Sequence, residues 1–290
     1  MKLRQLTNFL APLLLFIGTP VTAATVPTGA VLPGDGIEAV MVTGADGEQI
    51  DKGLALARET DAKDAGFGDI VATGKIINKS EGGGQNSRVF EMVTVEMEDD
   101  GDRRFVNVTA PRSMKGTMFL SHSHALEADD VWVLLPGSSR LRRISAQDKT
   151  GRFLNSELTL EDISPWQVKK YSYRYLGKEP CGEDGEHTCF LVENTPAYKH
   201  SGYGRQLEWL DTEIHQPRKI AYYDNNDQLM KVLTFTDYAQ YAGKHWRPSY
   251  MEMSNKVTGA VSEIYWDSYD IDTGYEPSQV SPANITRLRR

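Results

Sequence analysis

The sequence has only two cysteines, no excess of positive charge and, beyond its first two dozen residues, no long apolar run. Each shortage excludes something. Two cysteines cannot build a four-thiolate zinc site or a disulfide-dense scaffold. With 32 Lys and Arg against 40 Asp and Glu, a formal charge of −8, the chain as a whole repels nucleic acid. No segment after the N-terminus approaches the ~18 apolar residues that a membrane helix needs. Catalytic signatures are scarce as well: no serine lies in a GxSxG elbow, and EGGGQNS (81–87) sits between strand-like stretches and reads as a hairpin end, not as a phosphate loop opening a helix.

What is present begins with a leader. MKLRQ, the apolar FLAPLLLFIG and the small-residue stretch TPVTAA have the layout of a secretory signal peptide, residues 1–24, cleaved near Ala24. Loss of Lys2 and Arg4 leaves 30 basic against 40 acidic residues, a charge of −10. Residue 25 is Thr, so no cysteine follows the cleavage point to carry a lipid anchor. In an oxidising compartment, Cys181 and Cys189, which bracket the polar loop GEDGEHT, are expected to close a disulfide across a hairpin end; free thiols are the alternative.

Residues 25–46 are rich in Gly, Pro and Thr and read as an extended arm. The stretch 47–66 places Ile50, Leu54, Leu56 and Ala57 on one side with charges elsewhere and ends at Gly66, which predicts a helix. From Phe67 onward the texture is strand: short runs rich in Val, Ile, Tyr, Phe and Thr, parted by turns such as DDGD, PGSS, GEDGEH and YDNNDQ. LEDISPWQV, around Pro165, reads as a second short helical piece. The expectation is mainly β: roughly a dozen strands in a single antiparallel meander curled into a barrel or half-barrel, residues 47–290, with the 47–66 helix as plug or lid.

Period-two geometry then assigns faces. VWVLL and RLRRI become two strands joined by PGSS, with Arg140 and Arg142 on one face with Ile144, and Leu141 and Arg143 on the other. Those arginines fit either a cavity mouth that meets a headgroup or a solvated sheet edge. Large soft side chains share faces elsewhere: Tyr173 with its neighbours, Trp209 with Leu207, Phe235 with Leu233, Met253 with Met251, Ile264 with Trp266. They fit an ordinary core, or an apolar ligand cavity lined by Trp132, Leu134, Tyr173, Trp209, Phe235 and Met253. His122 and His124, with acidic residues following, are the best metal candidates, but no third ligand is fixed by spacing. Glu161-Asp162 and Asp99-Asp100 are adjacent acids of the kind that turns usually solvate.

MKGTMFL (114–120), DDVWVLLP (129–136), RLRRI (140–144), NSELTLEDIS (155–164), YDNNDQLMKVLTF (223–235) and WRPSYMEMSNKVTG (246–259), in that order, resemble the bacterial outer-membrane lipoprotein-sorting proteins, relatives of LolA and LolB. The resemblance runs from about Gly66 to the C-terminus. It implies a half-open antiparallel barrel in the periplasm whose helices close an apolar cavity able to hold acyl chains. It also implies a monomeric carrier of a lipid or acylated protein, without covalent chemistry or cofactor, associated with an RND-type (MMPL-like) exporter. A non-catalytic adaptor of such an exporter and a secreted metal-dependent hydrolase using His122 and His124 are the alternatives.

Overall fold

A computed structural model describes residues 46–138 and 140–285; the expected signal peptide and nearly all of the expected arm lie outside the described residues. A helix α1 (Asp46–Asp64) precedes the strands β1 (Asp69–Lys79), β2 (Gln85–Val95), β3 (Arg103–Ala110), β4 (Met118–His122), β5 (Asp130–Leu134) and β6 (Arg142–Ile144). After a crossover come β7 (Tyr171–Cys181), β8 (His187–Pro196), β9 (Arg205–Asp211), β10 (Pro217–Tyr223), β11 (Leu229–Tyr241), β12 (His245–Asn255) and β13 (Val261–Ile271), then a one-turn helix α2 (Pro282–Ile285).

The thirteen strands form one antiparallel sheet, in the order β6-β5-β4-β3-β2-β1-β13-β12-β11-β10-β9-β8-β7. Two meanders are therefore joined along β1 and β13, from Ile70 opposite Ile271 to Lys79 opposite Val261. The sheet does not close. Its edges are β6 and β7, and the chain between them, residues 145–170, drops into the trough that a closed barrel would enclose. Phe153, Leu154, Leu158 and Leu160 of this crossover join a dry cluster with Ile76, Phe90, Val108, Leu233, Met253 and Ile264 from the sheet's inner face. The expected helix at LEDISPWQV is absent: this region forms turns, and the crossover has only short 3-10 turns, at Ala146–Thr150, Phe153–Asn155 and Val168–Lys170.

Polar ties hold the crossover down. Lys231 on β11 is buried; its ammonium donates to the Asp162 carboxylate and, at 3.2 Å, to the Glu157 carbonyl oxygen. Asp162 also accepts from the Tyr203 hydroxyl at 2.7 Å. Nearer the sheet edge, Asp129 lies between two buried lysines of the crossover, Lys149 at 2.6 Å and Lys170. Charges removed from water this completely are tolerated because each has a partner, and removing one partner strands the other at about 3–5 kcal/mol.

The outer face is covered too, at one end. Along β2 to β5 alternate residues point outward, and Val93, Val95, Phe105, Met118, Leu120 and Leu134 pack beneath Val280 and Ile285 of the C-terminal segment. That segment is pinned by Asp69, whose Oδ2 accepts from the backbone N–H of Gly274 at 2.8 Å, and by Arg103, which donates to the Pro277 carbonyl at 2.7 Å. At the far end of the β7–β8 hairpin, Cys181 and Cys189 form the expected disulfide.

Helix α1 follows from its pattern. Ile50, Gly53, Leu54, Ala57, Thr60 and Asp64 recur at helical spacing and are less exposed than their neighbours, and Leu56 is buried. The helix lies on the inner face of β7 and β8, where Leu56 meets Tyr173 and Val192. Contact is closest at Gly53: an added Cβ there would come within 3.0 Å of the backbone of Tyr173, Arg174 and Tyr175. Gly66, at φ +87°, ends the helix in the left-handed region that glycine tolerates. Among the described residues, no helix is long and apolar enough to cross a membrane.

Candidate functional site

The crossover fills only part of the trough. Between it and α1 remains a cavity of about 1080 Å³, whose walls include Ile76, Phe90, Met92, Phe235, Met251, Ile264 and Trp266. That is at the top of the roughly 300–1,000 Å³ usual for small-molecule sites. Phe90 and Trp266 meet edge to face, with ring centroids 5.3 Å apart. The exposed lining residues gather at one mouth, formed by Asp61, Ala65, Gly66 and Gly68, by 98–100, and by Trp166 and Lys169.

Two arginines stand where the apolar wall meets this mouth. Arg104 on β3 donates from Nη1 to the Ile163 carbonyl at 2.6 Å and from Nε to Thr94 Oγ1 at 3.0 Å, so it ties the crossover to the wall. Burial pulls its pKa down to about 10, against the pull of Asp102. Asp102 itself is pushed up to about 6 by burial, and Glu96 and Asp61 push the same way; the Met97 N–H and Arg104 oppose them. Arg247 on β12 grips Asp64 at the end of α1 with both arms, Nη1 to Oδ1 at 2.6 Å and Nη2 to Oδ2 at 3.1 Å. Glu96 accepts from the backbone N–H of Gly66 at 2.7 Å and of Gly68 at 2.9 Å. The last turn of α1 is thus latched to the sheet beside the opening.

The residues expected to line a cavity separate into two groups. Tyr173 and Phe235 do line it. Met253 is on the inner face but 0 % exposed beneath the crossover, and Met251, two residues earlier, takes the lining position. Trp132 and Leu134 face outward under the C-terminal segment, because the inward positions of β5 belong to Val131 and Val133. Trp209 also points away from the cavity: its indole N–H donates to Glu179, and Lys219 lies 3.5 Å over its ring. Large side chains on those outer positions are accommodated by local cover, which strand parity alone does not reveal.

Arg140, Arg142 and Arg143 do not line the cavity. They are exposed at the β6 edge, where Arg143 pairs with Asp130 and Arg142 stands opposite Val133. The strand is shorter than the expected RLRRI, beginning at Arg142, so the expected alternation is seen only for Arg142 and Ile144 against Arg143, and none of the three arginines reaches the cavity wall. The histidines are engaged separately. His122 Nε2 contacts the Val280 carbonyl at 2.9 Å and its ring packs against Trp132, whereas His124 Nδ1 is 2.7 Å from Asp100. Glu161 and Asp162 serve the crossover: Glu161 accepts from Ser201 Oγ at 2.6 Å and the Gly202 N–H at 2.8 Å.

Sequence reasoning did not single out Phe90, Met92, Arg104, Arg247 or the polar pair Asn194 and Glu208, all of which line the cavity. The crossover's role was equally hidden. The only sequence signal for it was the long gap between the RLRRI and KKYSYRYL strands.

One open antiparallel sheet curled around its own crossover, with a helix laid in the trough, is a LolA-like architecture. A protein-family model described as an uncharacterized protein matches residues 100–287. The crystal structure of a domain from Vibrio parahaemolyticus, named for outer membrane lipoprotein sorting, is similar over 82% of this chain and 100% of its own, at 36% identity and a TM-score of 0.79. A DUF1329 family protein from Desulfovibrio piger matches over 82% of this chain and 99% of its own, at 26% identity and a TM-score of 0.76. A LolA superfamily protein from Nitrosomonas europaea shares the fold at 17% identity, with a TM-score of 0.63 over 79% of this chain and 97% of its own. A search among curated proteins finds no match. This chain belongs to the outer-membrane lipoprotein-sorting protein family and shares its fold with the LolA superfamily protein.

Proposed function

We propose that this protein is a periplasmic carrier that shelters the acyl chain of a lipid or lipoprotein and passes it between membrane partners without covalent chemistry. The observation that carries the reading is the apolar cavity of about 1080 Å³ with its single cluster of exposed lining residues. The name of the Vibrio domain supports the same reading, as does the leader-like N-terminus. Moving a methylene from water to an apolar wall is worth about 0.8 kcal/mol, so a chain of about 15 methylenes gains on the order of 12 kcal/mol. A gain that large requires a release device, and a carrier discharges only to an acceptor of comparable quality or by shifting to a state that binds less well. The latch of Arg247 on Asp64 is placed to supply the second.

A fluorescent fatty-acid analogue tests this directly. The purified protein should take it up, and Ile220→Trp, which narrows the cavity, should weaken uptake. Equal uptake by the folded variant removes the cavity from the function. The family resemblance further suggests an RND-type exporter as membrane partner for a monomeric carrier. A photo-cross-linker placed at Trp166, on the mouth, that captures no membrane protein in the native envelope would remove that partner.

A further inference from the structure

The acidic residues of this chain avoid one corner of the sheet. Neither 103–126 nor 131–147 contains an Asp or Glu, in a chain that has 40 of them. These stretches carry β3, β4, β6 and all of β5 but its first residue, with the two turns at the end of those strands away from the mouth. The ladder brings the turns together: Asn107 stands opposite Met118, Met118 opposite Leu134, and Val133 opposite Arg142. Arg112 and Lys115 lie in the β3–β4 turn, Arg140 and Arg142 at the close of the β5–β6 turn, and all four are exposed. None of the four pairs with a carboxylate among the described residues. The acids nearest along β5, Asp129 and Asp130, sit at its opposite end and are engaged by Lys149, Lys170 and Arg143. In the same β5–β6 turn Leu135 is 45 % exposed and is followed by Pro136 and Gly137, both exposed as well.

An edge strand needs a charge to deter pairing with another chain, and Arg142 on β6 meets that need. Arg112 and Lys115 do not, because they belong to a turn between interior strands. Four unpaired cations beside an exposed leucine match a surface that is anionic outside and apolar beneath. We propose that this corner docks on a lipid bilayer bearing anionic headgroups, with the four cations meeting phosphates and Leu135 entering the interface between them. The overall charge of −8 does not oppose the docking. The exposed acids of the mouth, Asp61, Glu98, Asp99 and Asp100, lie at the other end of the strands. The 11 residues of β2 span ~36 Å between those ends, several times the ~8 Å screening length of physiological salt. Docked in this way, the protein turns its mouth away from the bilayer and leaves it open to a partner. The docking does not depend on what the cavity holds.

The test is co-sedimentation of the purified protein with vesicles of phosphatidylcholine alone and with vesicles in which about a third of the lipid is phosphatidylglycerol. Wild type should bind the anionic vesicles about tenfold more tightly at ~0.1 M salt and lose that advantage at ~0.5 M. Arg112→Gln, Lys115→Gln, Arg140→Gln and Arg142→Gln together should bring binding down to the phosphatidylcholine level. Removing the same charge from exposed positions elsewhere, by Arg58→Gln, Lys178→Gln, Lys199→Gln and Lys256→Gln together, should leave binding within about twofold of wild type. Leu135→Asp, with all four cations in place, should weaken it about fivefold. Equal binding to the two kinds of vesicle, or unchanged binding by the first quadruple variant, overturns the proposal. Binding unchanged by Leu135→Asp overturns it in favour of an acidic protein face as the partner of this corner. Acyl-probe uptake by the first quadruple variant should match wild type, so the docking and the carrier reading stand or fall separately.

Discussion

The two ends of the trough are built from the same kinds of residue on the same strands, yet one is solid and the other hollow. Met253 and Leu233 face inward and are buried beneath the crossover, whereas Met251 and Phe235, each two residues away along the same strand, face open space. Composition cannot account for the difference. The crossover accounts for it: Lys231 and Asp162 pin it at one end, and Arg104 holds its later part against the wall of the other. A sheet of thirteen strands encloses more volume than its own side chains fill, so the placement of one inserted segment decides which part becomes core and which part becomes cavity.

The comparison can be broken most forcefully at the solid end. Lys231→Met leaves the buried Asp162 carboxylate without its cation and should cost about 3–5 kcal/mol in urea unfolding. A loss under 1 kcal/mol would mean that the crossover does not depend on that pair.

Truncating the two methionines sharpens the contrast. Met253→Ala opens a hole in a packed region and should cost about 2–5 kcal/mol, whereas Met251→Ala, already facing a cavity, should cost less than about 1.5 kcal/mol while changing acyl-probe affinity. Equal costs would contradict the assignment of solid and hollow ends.

The mouth should respond to pH through Asp102. Its folded pKa of about 6 lies above the ordinary 3.8, so between those values the folded chain binds a proton that the unfolded chain has released. This group therefore adds stability as the pH falls through that window and detracts from it above. Asp102→Asn should gain up to about 3 kcal/mol on wild type at pH 7 and nothing at pH 4. A difference that does not vary with pH would show that Asp102 titrates normally.

The smallest effect is expected on the outer face. Trp209→Asp should leave acyl-probe uptake within about twofold of wild type, since the indole is turned toward Glu179 and Lys219. Lost uptake in a folded variant would reverse the face assignment of β9.

The strand architecture was legible where turn residues bracket β-branched and aromatic runs. RRFVNVTA and RQLEWLD have the bounds of β3 and β9, and α1 follows its apolar stripe. MFLSH, only five residues of β4, was too short to stand out from the loops around it. The outward turn of Trp132 and Leu134 was not legible because it depends on a segment about 150 residues later in the chain that covers β5 from outside. The crossover was misread for a related reason. Leu160, Ile163 and Trp166 have helical spacing, but Lys231 and Tyr203 on other elements hold that stretch in turns. The arginines of the mouth, Arg104 and Arg247, occur singly on strands, and nothing local distinguishes them from the exposed Arg140, Arg142 and Arg143. Strand existence is a local property of this sequence, and the cavity is a product of long-range packing.

The most direct test of the hollow end as a lipid site is organic extraction and mass spectrometry of the protein isolated from its native periplasm without detergent. A stoichiometric acyl-bearing molecule, at lower occupancy in the Ile220→Trp variant prepared in parallel, is the predicted result. A clean extract, from protein that also fails to take up the fluorescent fatty acid, would contradict it.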